Sequence, residues 1–262
     1  MGAKQTALIT GASGGIGLEF ARVFAEKGYD LILIARREGA LRDLGGELQK
    51  KFGTQTAIIA MDLAVPGAAK AAFAEVESRN LTVDVLVNNA GFATYGYFTD
   101  IDLDKQSQLL QLNIVTLTEL TRLFLTGMKA RGSGRVLNVA STAAFMSGPL
   151  MAVYYASKAY VLSFSEAIAK ELEGTGVSVS VLCPGATESD FQARAAMQDS
   201  KLVQNGLMKA NTVARIGYDG LMASKRVIIP GFMNRLVVLL PRLIPRQMVP
   251  GIVMNAQARI SH

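Results

Sequence analysis

Short apolar runs rich in β-branched residues alternate along the chain with longer stretches whose apolar positions recur every three to four residues. Seven runs predict strands: Ala7–Thr10, Leu31–Ala35, Ala57–Met61, Val83–Asn88, Arg135–Ala140, Ser178–Cys183 and Arg226–Ile229. Several are apolar at consecutive positions, as strands covered on both faces require. Strand and helix patterns in alternation describe βαβ units, so the expected architecture is α/β: a doubly wound, seven-stranded parallel sheet in a three-layer α/β/α sandwich.

Between the first two strands, Ile16, Phe20, Val23 and Phe24 fall at helical spacing and Gly28 follows at a helix stop. Two longer helical stretches run from about Leu103 to Arg131 and from about Ala152 to Gly174. No linker or repeat divides residues 1–230, which read as one domain. After Ile229 the pattern changes, and Pro230, Pro241, Pro245 and Pro250 punctuate an apolar, basic extension over residues 231–262. Its uninterrupted run Leu236–Pro241, bracketed by Arg235 and Arg242, is far shorter than the roughly 20 residues a membrane span needs.

Composition narrows the chemistry. Half of the 262 residues are apolar, which excludes disordered and fibrous classes. The single cysteine, Cys183, allows neither an intrachain disulfide nor a thiolate cluster, and the only histidine is His262. Mechanisms built on a histidine base, a Ser-His-Asp triad or a His-rich metal site are thereby excluded, and no metal site is expected. A net charge of +6, without tryptophan or a basic low-complexity tail, suits a phosphate-rich ligand better than nucleic acid. The first residues lack the charged and apolar regions of a secretory signal, so a cytoplasmic protein is expected. Gly2 and Thr6 fit a loose acylation pattern, but a strand follows at once.

The loop after the first strand reads Thr10-Gly11-Ala12-Ser13-Gly14-Gly15-Ile16-Gly17. Glycines between a strand and an amphipathic helix let a ligand approach unpaired N–H groups at the positive end of the helix dipole, the arrangement that holds a pyrophosphate. At the end of the second strand, where a carboxylate commonly meets a ribose 2′-hydroxyl, the chain has Arg36 and Arg37. Guanidinium groups can bind a 2′-phosphate and Ser13 can add a donor, so NADP(H) is the expected cofactor; a solvated arginine loop is the alternative. Tyr154 and Lys158, four apart on a predicted helix, share a face and can serve acid–base chemistry without histidine. An adjacent ammonium and a cationic nicotinamide would lower the phenol pKa; the plain alternative is two surface side chains on a helix.

In combination these residues resemble the classical short-chain dehydrogenase/reductases, with a Rossmann-type fold, over residues 5 to about 230. The resemblance rests on the glycine loop, the run Asn88-Asn89-Ala90-Gly91, the Tyr154/Lys158 pair and Pro184-Gly185, all in family order. It implies a catalytic tetrad of Asn113, Ser141, Tyr154 and Lys158. Ser141 would hold the substrate carbonyl oxygen, Tyr154 would donate the proton, Lys158 would tune Tyr154 and bind the nicotinamide ribose, and Asn113 would hold a water of the proton relay. The resemblance further implies cofactor contacts by Gly11, Ser13, Gly14, Gly15, Ile16, Gly17, Arg36, Arg37, Asp62, Asn89, Tyr154, Lys158, Pro184, Gly185, Thr187 and Ser189. Asp62 would meet the adenine and Asn89 the adenosine ribose. Ser189 stands where the family usually has a threonine for the carboxamide, with Thr187 two before it. Asn113 and Ser141 could instead be ordinary helix and turn residues, and Tyr155 competes with Tyr154 except that only Tyr154 is four before the lysine. Cys183 reads as a buried small residue rather than a nucleophile.

The implied activity is NADP(H)-dependent interconversion of a carbonyl and a secondary alcohol by hydride transfer, with a hydrophobic ketone or 3-oxoacyl compound as substrate. Phe191, Met197, Leu202, Val203, Leu207 and Met208 suit an apolar lid, with Phe145, Met146, Leu150 and Met151 completing its wall, or else pack their own helix. The extension carries Met233, Leu236, Val237 and Leu240 at helical spacing together with Arg235, Arg242 and Arg246. It could cover a substrate channel, dock on its own domain or on another subunit, or lie on a membrane surface. A homodimer or homotetramer is expected from the family. The alternative to an enzyme is a non-catalytic NADP-sensing regulatory or peripheral-membrane protein.

Overall fold

The structure is a computed structural model, and it describes residues 4–189 and 207–258. Seven parallel strands form one sheet: β1 (Thr6–Thr10), β2 (Asp30–Ala35), β3 (Thr56–Ala60), β4 (Val85–Asn88), β5 (Gly134–Val139), β6 (Val177–Leu182) and β7 (Val227–Ile228). Their order is β3-β2-β1-β4-β5-β6-β7, and the chain reverses its direction of growth between β1 and β4. In such sheets a ligand crevice opens at that reversal, beyond the carboxyl ends of the strands. The register sets Ile9 beside Leu33 of β2 and Val87 of β4, aligning the loops that leave β1, β2 and β4 at one edge.

The period-two alternation of β1 sends Ala7 and Ile9 to one face and Leu8 to the other. Ala7 and Ile9 pack with Phe20 and Phe24 of α1 (Gly15–Glu26), Leu41, Leu44 and Leu48 of α2 (Glu38–Phe52), and Val213 and Leu221 of a later helix, Ala210–Met222. On the opposite face Leu8 and Leu86 meet Ala69, Ala72 and Val76 of α3 (Ala68–Ser78) and Leu120, Phe124 and Met128 from the segment before β5. Both faces are thus covered, which accounts for the continuous apolar strands.

The stretch from Leu103 to Arg131 is not one regular helix. It comprises α4 (Leu103–Leu110), a π-helical turn (Gln111–Thr116) and α5 (Leu117–Arg131). A π turn rotates the helix face relative to a regular α register, and Asn113, inside this one, is buried. Next come β5, a 3₁₀ turn (Thr142–Phe145) and α6 (Ala152–Glu171). A buried polar brace joins these elements: Asn88 Nδ2 donates to Thr121 Oγ1 and Asn138 Oδ1, each at 2.9 Å, and Asn138 Nδ2 donates to Ser165 Oγ at 2.9 Å.

Ala210–Met222 is α7, and beyond β7 lie α8 (Phe232–Leu239), a 3₁₀ turn (Leu240–Arg242) and α9 (Val249–Gln257). Val238 of α8 is buried. In α9, Val249 and Val253 join a cluster with Ala93, Leu109, Ala143, Met151, Tyr154 and Tyr155. Among the described residues no helix is long and apolar enough to cross a membrane.

Candidate active site

The glycine loop is forced into shape by its neighbours. Gly11 has φ +68°, and a Cβ there would lie 2.9 Å from Asn89 Nδ2 and 3.0 Å from Ala90 Cα. A Cβ on Gly17 would lie 2.4 Å from the Gly11 carbonyl oxygen and 2.5 Å from Asn89 Nδ2. Asn89 is itself fixed, its Nδ2 donating to the Thr10 carbonyl at 2.9 Å while its N–H and that of Ala90 donate to Thr10 Oγ1 at 3.0 Å. The β1 and β4 ends are therefore stitched together beneath the loop. The Gly11 N–H donates to Ile34 of β2 at 2.8 Å. Gly14 precedes α1 with no side-chain cap, and the first turn, which includes Ile16, has no carboxylate. These groups fit the pyrophosphate of a dinucleotide, which needs free N–H donors and no Cβ in its way.

Arg36 and Arg37 leave β2 beside this loop and are exposed. Arg37 donates to the Ser13 carbonyl at 2.6 Å, and the Arg36 guanidinium lies 3.8 Å from the carboxylate of Asp62, beyond β3. Asp62 also accepts from the Ala64 N–H at 2.9 Å. Ser13, Arg36, Arg37 and Asp62 are thus gathered at one end of the crevice.

At its other end, Ser141 follows β5 and caps the 3₁₀ turn, accepting from the Ala143 N–H at 3.1 Å. Its side chain hydrogen-bonds with that of Tyr154 on α6. One turn on, Lys158 is 5% exposed, donates from Nζ to the Val139 carbonyl at 2.8 Å and sits 5.7 Å from the centre of the Tyr154 ring. Burial pushes the Tyr154 phenol above its ordinary value, a rise only partly opposed by the Ser141 hydrogen bond. Desolvation is the largest influence on this group, and the phenol holds its proton. Burial takes Lys158 the other way, down to about 8.

The two neighbouring tyrosines part company. Tyr155 is claimed by the extension, its hydroxyl accepting from Gln257 Nε2, while Tyr95 donates to the Gln257 carbonyl at 2.7 Å. Asn113 has its carboxamide engaged: Nδ2 donates to the Phe92 carbonyl and to Ser157 Oγ, both at 3.1 Å, and Oδ1 accepts from the Phe92 N–H at 3.3 Å. It pins the Gly91–Phe92 bend to α6, and a Cβ on Gly91 would lie 3.0 Å from Asn113 Oδ1 and 3.6 Å from Lys158 Nζ. The thiol of Cys183 is fully buried and pushed up to about 12, chiefly by that burial, so it holds its proton.

Beyond β6, the Pro184 carbonyl accepts from Thr142 at 2.9 Å, joining this segment to the turn that carries Ser141. Thr187 Oγ1 donates to the Gly185 carbonyl at 2.9 Å and Ser189 Oγ to the Thr187 carbonyl at 3.4 Å. Ser189 reaches the glycine loop, where a Cβ on Gly15 would stand 3.0 Å from its own Cβ. Of the apolar residues expected to form a lid, Phe191, Met197, Leu202 and Val203 lie outside the described residues. Met208 pairs with Ala186 and Glu188 through the backbone, and Met151 packs with Tyr154. A mainly apolar pocket of about 210 Å³ opens near the start of α6, between Tyr97, Phe98, Leu150, Val153 and Met254.

Three positions escape sequence reasoning. Ser157 is buried and donates to the Tyr154 carbonyl at 2.7 Å, and its only signal is a polar residue on the inward face of a helix. Asn234 packs on Gly185, where a Cβ would lie 2.4 Å from its Oδ1. Gln257 is a buried amide in a segment with no motif.

The pattern of the family described as short chain dehydrogenase matches residues 5–200. A short chain dehydrogenase of Pseudocercospora fijiensis is 39% identical over 72% of this chain and 62% of its own length. A ketoacyl reductase of a Nostoc species is 35% identical over 69% of this chain and 63% of its own. The chain thus spans somewhat under two thirds of these curated relatives. Among solved structures, a short-chain dehydrogenase from Sphingobium yanoikuyae in complex with NADPH superposes with a TM-score of 0.82 at 29% identity, covering 97% of this chain and 98% of that one.

Proposed function

The chain belongs to the short chain dehydrogenase family, and from that premise we propose that it is an NADP(H)-dependent oxidoreductase that reduces a hydrophobic ketone or 3-oxoacyl compound to a secondary alcohol. The observation that carries this reading is the Ser141–Tyr154 hydrogen bond with Lys158 set against the tyrosine ring, on the same edge of the sheet as the uncapped glycine loop.

When bound, the dinucleotide supplies the hydride. Gly11, Ser13, Gly14, Gly15, Ile16 and Gly17 would hold its pyrophosphate, Arg36 and Arg37 the 2′-phosphate, and Asp62 and Asn89 the adenosine. Thr187 and Ser189, with Pro184 and Gly185, would face the carboxamide. NADPH in the Sphingobium relative supports the cofactor choice.

Carbonyl reduction leaves negative charge on the substrate oxygen, and two donors placed in advance stabilise it as it forms. Ser141 Oγ holds that oxygen and Tyr154 Oη gives it the proton. A phenol pushed up by burial is protonated throughout the neutral range, the state a reductase needs before each turnover. Lys158 keeps a cation beneath the ring, stabilising the phenolate left after transfer and easing its reprotonation. Asn113 acts through position, keeping the Phe92 bend and Ser157 in register with α6. Met151, which packs with Tyr154, and the apolar residues around it support an apolar substrate.

The test is Tyr154→Phe, assayed by NADPH absorbance loss against apolar ketones and 3-oxoacyl thioesters, with NADPH binding measured separately. Turnover should fall by about a hundredfold or more with binding retained, the usual contribution of a general acid. Unchanged turnover would reject Tyr154 as the acid. Tight cofactor binding with no turnover by the wild-type protein on any substrate would favour a sensor.

A further inference from the structure

Helix α8 turns one face inward and leaves a different chemistry outward. Asn234 and Val238, four apart, point into the protein: Asn234 Nδ2 donates to the Pro230 carbonyl at 2.7 Å, and Val238 is buried. The opposite face carries Phe232, Met233 and Leu236, and the exposed Leu240 of the following 3₁₀ turn extends it, with Phe232 72% and Met233 69% exposed. The next turn continues the surface with Leu243, 80% exposed. Single exposed apolar residues are ordinary, but a contiguous set on one helix and its continuation is not.

Charge tells which occupant suits this face. Arg235, Arg242 and Arg246 flank it and are all exposed, and the sequence after Asp219 contains no aspartate or glutamate. A second copy of the chain packed helix against helix on this face about a twofold axis would set arginines against arginines, and the segment itself supplies no carboxylate to receive them. An apolar face lying flat with a cationic fringe matches instead the boundary between acyl chains and anionic headgroups.

We propose that this face docks the protein on the surface of a membrane containing anionic phospholipid. Phe232, Leu236 and Leu243 enter the acyl boundary while the arginines meet the phosphates. The helix lies in the plane of the interface and does not span it. Docking requires no turnover and stands or falls apart from the activity.

The experiment is co-flotation of the full chain with vesicles of phosphatidylcholine alone and of equal parts phosphatidylcholine and phosphatidylglycerol. Wild-type protein should float with the anionic vesicles, weakly with the neutral ones, and less as salt rises. The combined variant Phe232→Ser, Leu236→Ser, Leu243→Ser should lose flotation while keeping its melting temperature and NADPH affinity, because all three side chains face outward. Each of Arg235→Gln, Arg242→Gln and Arg246→Gln should weaken anionic-vesicle binding about fivefold. Absence of wild-type flotation, or flotation unchanged in the serine variant, overturns the proposal. So does a wild-type dimer in light scattering that the serine variant converts to monomer, since that face would then belong to a second copy.

Discussion

Gly17→Ala sets two opposing effects against each other at the centre of the cofactor loop. Gly17 lies in the first turn of α1, where alanine is favoured over glycine by up to about 1 kcal/mol. The added Cβ, however, would stand 2.4 Å from the Gly11 carbonyl oxygen and 2.5 Å from Asn89 Nδ2. Neither neighbour is a flexible tip: one is backbone, and the other is held to the Thr10 carbonyl at 2.9 Å. Overpacking of a fixed site costs about 1–3 kcal/mol, and an overlap this deep belongs near the upper end. The net expectation is a loss of about 1–2 kcal/mol in urea unfolding. Relief requires the Gly11 turn to separate from the β4 end, so NADPH affinity should fall about tenfold if some 1.4 kcal/mol of that shift persists when the cofactor binds. Gly46→Ala is the control, because Gly46 is exposed within α2 with nothing within 4 Å of its Cβ position, and it should gain about 0.5–1 kcal/mol with affinity unchanged. Equal behaviour of the two variants would refute the reasoning.

Replacing both Arg36 and Arg37 with alanine should raise the dissociation constant for NADPH at least about tenfold and leave that for NADH within about threefold, since a charge-assisted hydrogen bond contributes about 1.5–3 kcal/mol; nucleotide fluorescence titration checks this, and equal losses would contradict the assignment. Lys158 links catalysis to stability. Its folded value near 8 lies below the ordinary 10.5, so between those two the unfolded chain binds more protons and this group makes stability rise with pH; below 8 its burial penalty is present in full. Tyr154 acts oppositely above pH 10, where its raised value gives stability that is lost as pH climbs. Lys158→Met should therefore abolish turnover yet stabilise the protein at pH 7 by about 1–2 kcal/mol, the relieved penalty being offset by the bond lost at Val139. Denaturation curves at pH 7 and 9.5 should show the wild-type rise flattened in the variant, and an undiminished rise would exclude Lys158 as its source.

The sheet was legible because its central strands are covered on both faces, so β1, β2, β4, β5 and β6 announce themselves as apolar runs whatever their neighbours do. The glycine loop was legible because its conformation admits few residues, as Gly11 and Gly17 show. What stayed hidden depends on contacts between segments distant in sequence. The π turn at Gln111–Thr116 leaves no periodic trace in a stretch that reads as one helix, yet it contains the buried Asn113. The register against Lys158 singles out Tyr154 in the sequence, but nothing there shows that Tyr155 is held by Gln257, 102 positions away.

The extension shows how one segment can have two faces with different partners. Its inward positions, Asn234, Val238, Val249, Val253 and Gln257, close against Gly185, the Tyr154 cluster and Tyr155, so the segment is a wall of the candidate site. Its outward positions cannot serve that wall, because Phe232, Leu236 and Leu243 point away from it and remain exposed. Packing on the domain therefore explains only half of the apolar residues read from residues 231–262. The periodicity that marked Met233, Leu236, Val237 and Leu240 in the sequence describes the half left over. Burying that half takes a second surface, and the proposed anionic membrane is one that the arginines beside it complement.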